Sequence, residues 1–281
     1  MTPLTLPADW PHRDASRRIA CRPHLWHVQQ MGAGPLVLLL HGAGGATHSW
    51  RHLMPLLTGY RVVAVDLPGQ GFTRMGSRRR CGIDAMAEDI ATLCADQGWA
   101  PHAVIGHSAG AALALRLAEL LPVARVVGIN AALSSFDGAA GWLFPLMARL
   151  LAATPMVPHL FSRMSGTADR VDALLASTGS KIDAAGRAQY LRLLQTTGHV
   201  DATLVMMSQW KLEGLLARLP ALRLPVLLIT GAGDATVPPS VSERAAGRIP
   251  GAVWVTLPGL GHLVQEEDAP AVAAVMLPFL A

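Results

Sequence analysis

Short apolar runs, each followed by a Gly-rich or polar turn and then by a helix-like stretch, recur through the first half of the chain. That alternation specifies βα units and a parallel sheet. The clearest strands are Leu36–Leu40, Arg61–Val65, Ala103–Ile105, Val126–Ile129, Val226–Thr230 and Val253–Leu257. Their near-continuous hydrophobicity requires cover on both faces of the sheet. Upstream, Arg18–Ala20 and Leu25–Gln29 flank a turn at Arg22 and Pro23, so an antiparallel hairpin is expected to open the sheet.

Helical spacing is read at Thr47–Leu57, Ile83–Gln97, Ala109–Leu121, Pro239–Arg248 and Gln265–Leu280. Between Asn130 and Leu224 the βα rhythm stops. Stretches rich in Leu, Met and Ala replace it, punctuated by Pro145, Pro155, Pro158 and Gly166. The expected organisation is a core from 1–130 and 225–281 with a helical cap insertion at 131–224, set over the strands' C-terminal ends, where such sheets bind ligands.

The strongest chemical signal is Gly106-His107-Ser108-Ala109-Gly110, placed directly between a strand and a helix. A G-x-S-x-G at such a junction forces the serine backbone into a strained turn that lifts its hydroxyl to the helix N-terminus. A nucleophilic serine needs a base, and the base needs an orienting acid. Along this kind of chain the order is serine, acid, histidine. Asp234 follows the strand at Val226–Thr230 and His262 follows the strand at Val253–Leu257, so both fall at the same end of the sheet. Asn130 is not an acid, and His199 lies within the insertion.

His41-Gly42-Ala43-Gly44-Gly45 follows the first parallel strand. An oxyanion needs preorganised donors. The N–H of Ala109, next to the serine, supplies one, and that of Ala43 the other. A phosphate-cradling loop is the competing reading, but no Gly-Lys-Ser/Thr follows and Thr47 stands where a dinucleotide fingerprint has its third glycine. His41 is read as a hydrogen-bonding residue of this loop, and Asp66 in Asp66–Gly71 as structural. Gly42 and His107 are candidate substrate contacts.

In the insertion, Val200, Leu204, Met207 and Lys211 fall on one helical face over His199–Leu216, with Met206 and Trp210 adjacent. Trp142, Phe144 and Met147 add bulk. Such a stripe is either the insertion's own core or the roof of a wide pocket, for which thioethers are suited. In the second case Met207 and Trp210 would touch an apolar small-molecule substrate.

Bulk properties narrow the function classes. The 281 residues are 51% hydrophobic and the mean hydropathy is +0.35. The densest apolar stretch, Trp142–Ala153, is nevertheless interrupted by Pro145 and Arg149 and is shorter than the roughly 18 to 20 residues of a spanning helix. No transmembrane segment is expected. The N-terminal stretch lacks the apolar core of a signal peptide. Cys21, Cys81 and Cys94 lack metal or disulfide spacing, which fits a reducing cytoplasm. Net charge is +4, but basic residues are scattered apart from Arg78–Arg80, read as a solvated loop. Nucleic-acid binding would need a dense basic stripe with interleaved aromatics. No His, Cys, Asp and Glu cluster has metal spacing, so neither a metal nor a cofactor is expected.

HGAGG, DLPGQG, GHSAG, GAGDATVPP and GLGHLVQEE, in that order, resemble the α/β-hydrolase superfamily over nearly the whole chain. Ser108 sets the sequence apart from haloalkane dehalogenases and most epoxide hydrolases, which carry an aspartate there. The ADWPHRDASRRI opening and the GHVDATLVMMSQWKLEGL segment are similar to the magnesium chelatase accessory proteins of bacteriochlorophyll biosynthesis, with departures at Asp201 and Lys211. That resemblance implies a role near magnesium insertion into protoporphyrin, with a tetrapyrrole as a possible substrate and chelatase subunits as possible partners. Two functions follow. One is a serine hydrolase acting on an ester or related carbonyl, and the other is a non-enzymatic accessory or porphyrin carrier.

Overall fold

The computed structural model describes residues 6–134 and 166–281. Among these, eight strands form one sheet: β1 (Ser16–Cys21), β2 (His24–Met31), β3 (Leu36–Leu40), β4 (Arg61–Val65), β5 (Pro101–His107), β6 (Arg125–Ile129), β7 (Val226–Gly231) and β8 (Val253–Leu257). Their order across the sheet is β1-β2-β4-β3-β5-β6-β7-β8. The β1/β2 hairpin and the β2/β4 pair are antiparallel, and every other pairing is parallel.

Alternation along the strands explains the unbroken hydrophobicity. Leu38, Leu40, Val104, Val126 and Leu228 face one buried cluster with helices α1 (Ile83–Asp96), α2 (Ala109–Ala118) and, further along the chain, Val241 and Ala245. Val37, Leu39, Ile105, Val127 and Ile229 face the other, against Val272, Ala273 and Met276. Successive side chains leave a strand on opposite sides, so the central strands β3 to β7 feed both layers and are covered on both faces, whereas Val253 on the edge strand β8 is exposed.

Two expected helices differ. Thr47–Leu57 is not a helix but two short 3-10 segments, Thr47–Trp50 and Met54–Leu56. Pro55 would clash with the carbonyl four residues earlier in a continuous helix. Gln265–Leu280 is broken between Glu267 and Ala269, where the Asp268 carboxylate accepts the Ala271 N–H at 2.9 Å and caps the second segment.

Between β6 and β7 the described residues hold helices α3 (Ala168–Ser177), α4 (Ala184–Gln195), α5 (Thr197–Gln209) and α6 (Glu213–Arg218), with no strand among them. Downstream come α7 (Pro239–Ala246), α8 (Val264–Glu267) and α9 (Ala269–Leu280). The expected helix over His199–Leu216 stops at Gln209. There the Gln209 side chain donates to Arg78 O at 2.7 Å and accepts from Cys81 N–H at 3.3 Å. Trp210 takes an extended backbone and packs on the main core. Lys211 is therefore off the helix and exposed, not part of one face with Val200, Leu204 and Met207. Trp142, Phe144 and Met147 lie outside the described residues. The Arg78–Arg80 run is more engaged than a solvated loop, since Arg78 pairs with Asp201, and Arg80 with Asp89 at 2.9 Å and Glu88 at 2.9 Å.

Candidate active site

β5 delivers Ser108 in a conformation that only a built turn can hold. Its backbone sits at φ 53, ψ −117, a region costing a non-glycine residue about 1–3 kcal/mol. The flanking glycines make room for it. A Cβ at Gly106 would stand 2.0 Å from Gly110 O, and one at Gly110 would stand 2.1 Å from Leu40 O. Ser108 N–H donates to Ile129 O at 2.9 Å and Ser108 O accepts from Ala111 N–H at 3.1 Å and Ala132 N–H at 3.2 Å, so the neighbouring strand and helix hold the strained residue.

Asp234 and His262, the expected orienting acid and base, meet in the structure. His262 Nδ1 bonds Asp234 Oδ2 at 2.7 Å, and Asp234 Oδ1 accepts the N–H groups of Thr236 and Val237, each at 2.8 Å. Both side chains are nearly excluded from water. With Oδ1 committed to two backbone donors, the other oxygen of Asp234 is left to fix the imidazole orientation. Among the described residues no hydrogen bond joins Ser108 Oγ to His262 Nε2. Such contacts are often loose without substrate.

The loop bearing His262 is held from below by two residues. His107 Nε2 donates to His262 O at 2.8 Å, and Asn130 Nδ2 donates to the same oxygen at 2.5 Å and to Gly261 O at 3.0 Å. Asn130 Oδ1 accepts Gly231 N–H at 2.8 Å. Burial holds His107 well below the usual imidazole range, and neighbouring His262 adds to this, so the ring is a neutral donor. The structure thus places His107 under His262 as a buried support, not as an open substrate contact. Asn130, set aside in the sequence as no acid, is the hub of three loops. Its partners are distant in sequence, so no local signal marked it.

The insertion supplies a third brace. After α3, the Thr178 carbonyl accepts His262 N–H at 3.2 Å and Ala235 N–H at 3.3 Å, and Ser180 Oγ accepts Leu263 N–H at 2.9 Å. Gly179 between them has φ 77, and a Cβ there would lie 2.2 Å from Gly233 O. The glycine is readable in the sequence as a helix C-cap; its threading between the two loops is not.

Gly42–Gly45 forms a turn closed by Gly45 N–H on Gly42 O at 3.0 Å, with Gly44 at φ 76. A Cβ on Gly42 would stand 3.0 Å from Ser108 Cβ, which puts this turn against Ser108. His41 Nε2 accepts Leu67 N–H at 2.9 Å, so its Nδ1 carries the hydrogen donated to Gly42 O at 2.7 Å. Neither the Ala43 nor the Ala109 N–H meets an acceptor among the described residues. Met207 is half-buried on α5, and Trp210, packed on the core, does not share its helix.

A second polar seam joins insertion and core beside this site. Glu266, in α8, pairs with Arg51 and accepts the Tyr190 hydroxyl at 2.6 Å; Arg51 also reaches Asp183 at 3.1 Å. Burial raises the Glu266 carboxyl to about 7 against the pull of Arg51 and Tyr190. Among the described residues no group of His, Cys, Asp and Glu is arranged to hold a metal ion, and no helix is long and apolar enough to cross a membrane.

Comparison with known proteins agrees with the architecture. Residues 35–269 match the family model of the alpha/beta hydrolase fold. The chain is 48% identical over 283 residues to the magnesium-chelatase 30 kDa subunit of Rhodobacter capsulatus, covering 100% of this chain and 99% of that one. It is 27% identical over 264 residues to a pyrrolizixenacetamide deacetylase of Xenorhabdus hominickii, covering 89% and 92%. An alpha/beta hydrolase fold protein from Burkholderia ambifaria superposes with a TM-score of 0.78 at 22% identity over 94% of this chain and 98% of that one. The esterase of Thermogutta terrifontis gives 0.72 at 22% identity over 94% and 97%. At those identities the structures speak to fold alone, and together with the family model they show that the chain belongs to the α/β-hydrolase fold family.

Proposed function

We propose that the protein is a serine hydrolase acting on an ester or related carbonyl of an apolar small molecule, with Ser108 as nucleophile, His262 as base and Asp234 as its orienting acid. The observation that carries this reading is Ser108 itself, held at φ 53 between two glycines that cannot bear a side chain. Strain of this kind persists only where the surroundings over-determine it, and it clusters at reactive residues. In the reaction, Ser108 Oγ attacks the carbonyl carbon while its proton passes to His262 Nε2. The carbonyl oxygen takes the negative charge and is received by the Ala43 and Ala109 N–H groups. His262 then returns the proton to the leaving group, and water repeats the sequence to free the acid. Residues 131–224 act as a cap over this chemistry, and the cytoplasm, where three free thiols persist, is the compartment proposed.

Incubation with a fluorophosphonate probe tests the reading. Labelling of the wild type that disappears in Ser108→Ala supports it; an unlabelled wild type overturns it.

A second reading is favoured by one finding, the full-length similarity to a magnesium-chelatase subunit. Under it the same fold serves beside magnesium insertion in bacteriochlorophyll biosynthesis, as a partner of chelatase subunits or as a tetrapyrrole carrier, since fold does not dictate use. Titration with micromolar protoporphyrin, followed by the Soret band and tryptophan quenching, tests the carrier version. Met207→Ala should weaken binding if that half-buried side chain lines the pocket, and an unchanged spectrum of the wild type ends the carrier idea.

A further inference from the structure

The turn that carries Ala43 is gripped on both sides by residues outside it. Gly44 N–H donates to Gln70 Oε1 at 2.8 Å, and Gly44 O accepts from His199 Nε2 at 3.1 Å. Gln70 belongs to the turn after β4, whereas His199 stands in the first turn of α5, in the insertion.

The partners dictate how both side chains are set. Gly71 N–H, 3.0 Å from His199 Nδ1, can only donate, so Nδ1 is the acceptor and Nε2 carries the hydrogen. Burial, aided by nearby His41, lowers His199 to about 4, so this neutral tautomer is the form present at neutral pH. With its oxygen on Gly44, Gln70 turns its Nε2 to Met206 Sδ at 3.2 Å. Met206 lies seven residues after His199, on the same side of α5. Thr203 lies between them, its methyl 3.7 Å from where a Gly44 Cβ would stand, and Ala202 would be 2.5 Å from a Cβ at Gly69. One helix face of the insertion is thus packed directly on the loop that holds the proposed oxyanion donor.

We propose that His199 is a positioning residue for the oxyanion hole: with Gln70 it holds the Gly42–Gly45 turn so that the Ala43 N–H points at the oxygen that becomes charged. The proposal rests on the serine hydrolase reading. A hole of this kind works because its donors are fixed before charge develops, and removal of one donor costs about 10²–10³ in kcat. Releasing a donor's support, leaving the donor itself, should cost about tenfold by the same reasoning.

The test compares wild type, His199→Asn, His199→Gln and Gln70→Met on a short-chain p-nitrophenyl ester. Active sites are counted by fluorophosphonate labelling, and affinity is measured for an alkyl boronic acid, whose tetrahedral serine adduct needs the same donor. His199→Asn cannot reach Gly44 O, so kcat per labelled site and boronate affinity should fall together by about tenfold while KM moves little. His199→Gln, whose amide nitrogen reaches the Nε2 position, should recover most of the loss. Gln70→Met should show the same paired loss and carries the test if His199→Asn does not fold. Wild-type kcat and boronate affinity in the folded variants, or a loss confined to melting temperature, overturns this proposal and leaves the hydrolase reading standing. A wild type that neither labels at Ser108 nor turns over the ester overturns both.

Discussion

The Thr178 carbonyl accepts the His262 N–H at 3.2 Å, so the proposed base is anchored to a residue of the helical insertion. Because the same oxygen takes the Ala235 N–H, the acid and base loops share a single backbone acceptor. Their spacing is set by the insertion as much as by the sheet.

Gly179→Ala probes that brace. The φ of 77 is unfavourable to alanine, and the new methyl would meet Gly233 O. A stability loss of about 1–3 kcal/mol is expected, together with a fall in ester kcat of at least about tenfold as the Asp234–His262 geometry is disturbed. Thermal melts and steady-state kinetics measure the two; an unchanged kcat would show that the brace is irrelevant to turnover.

Ser108→Gly should abolish fluorophosphonate labelling and yet stabilise the protein. Glycine occupies φ 53 without strain, so a gain of about 1 kcal/mol, or about 2–4 °C in Tm for a domain of this size, is expected. A lower Tm than wild type would contradict the strain assigned to the elbow.

Asn130→Ala removes three hydrogen bonds and leaves the buried Gly231 N–H unpaired. Each buried group left unsatisfied costs about 1–3 kcal/mol, so destabilisation of a few kcal/mol is expected, with lower activity through the freed His262 loop. Chemical denaturation at constant m-value measures it.

Glu266 should give stability an unusual pH dependence. Burial raises its folded-state value to about 7, whereas the unfolded carboxyl titrates near 4.5, the value from which it is raised. Between these limits the folded state holds a proton that the unfolded chain has released, so stability falls as pH rises. The contribution is fully present below about 4.5 and lost as pH passes through about 7. Glu266→Gln cannot titrate there, so the difference in unfolding free energy between variant and wild type should shift across that window. A constant difference from pH 5 to pH 8 would exclude the effect.

How much the sequence disclosed tracks how local each determinant is. The parallel strands were legible because two-sided burial is written in consecutive residues such as Leu36–Leu40, and the elbow was legible because its glycines flank Ser108. Asp234 and His262 were found by chain order, and the structure brings their side chains into contact. Pro55 marked a break that the helical spacing of Thr47–Leu57 concealed. On α5 the apolar residues point in more than one direction: Val200, Val205 and Met206 are all buried. Spacing alone therefore could not tell the side bearing His199 and Met206 from the stripe ending at Lys211. Asn130, Thr178 and His199 act through backbone groups far away in sequence, and nothing in their own neighbourhood records those partners.

The packing of α5 on Gly44 and Gly69 also bears on how proteins of this shape diversify. A lid joined only by flexible hinges can be exchanged between relatives like an interchangeable part. Here Thr178 and His199 reach into four loops, those of Gly44, Gly71, Ala235 and His262, so a chimera bearing a foreign insertion would lose the alignment of all four in one stroke. Recombination that respects this architecture must transplant the insertion together with the segments around Gly44, Gly71, Ala235 and His262, as one inherited block.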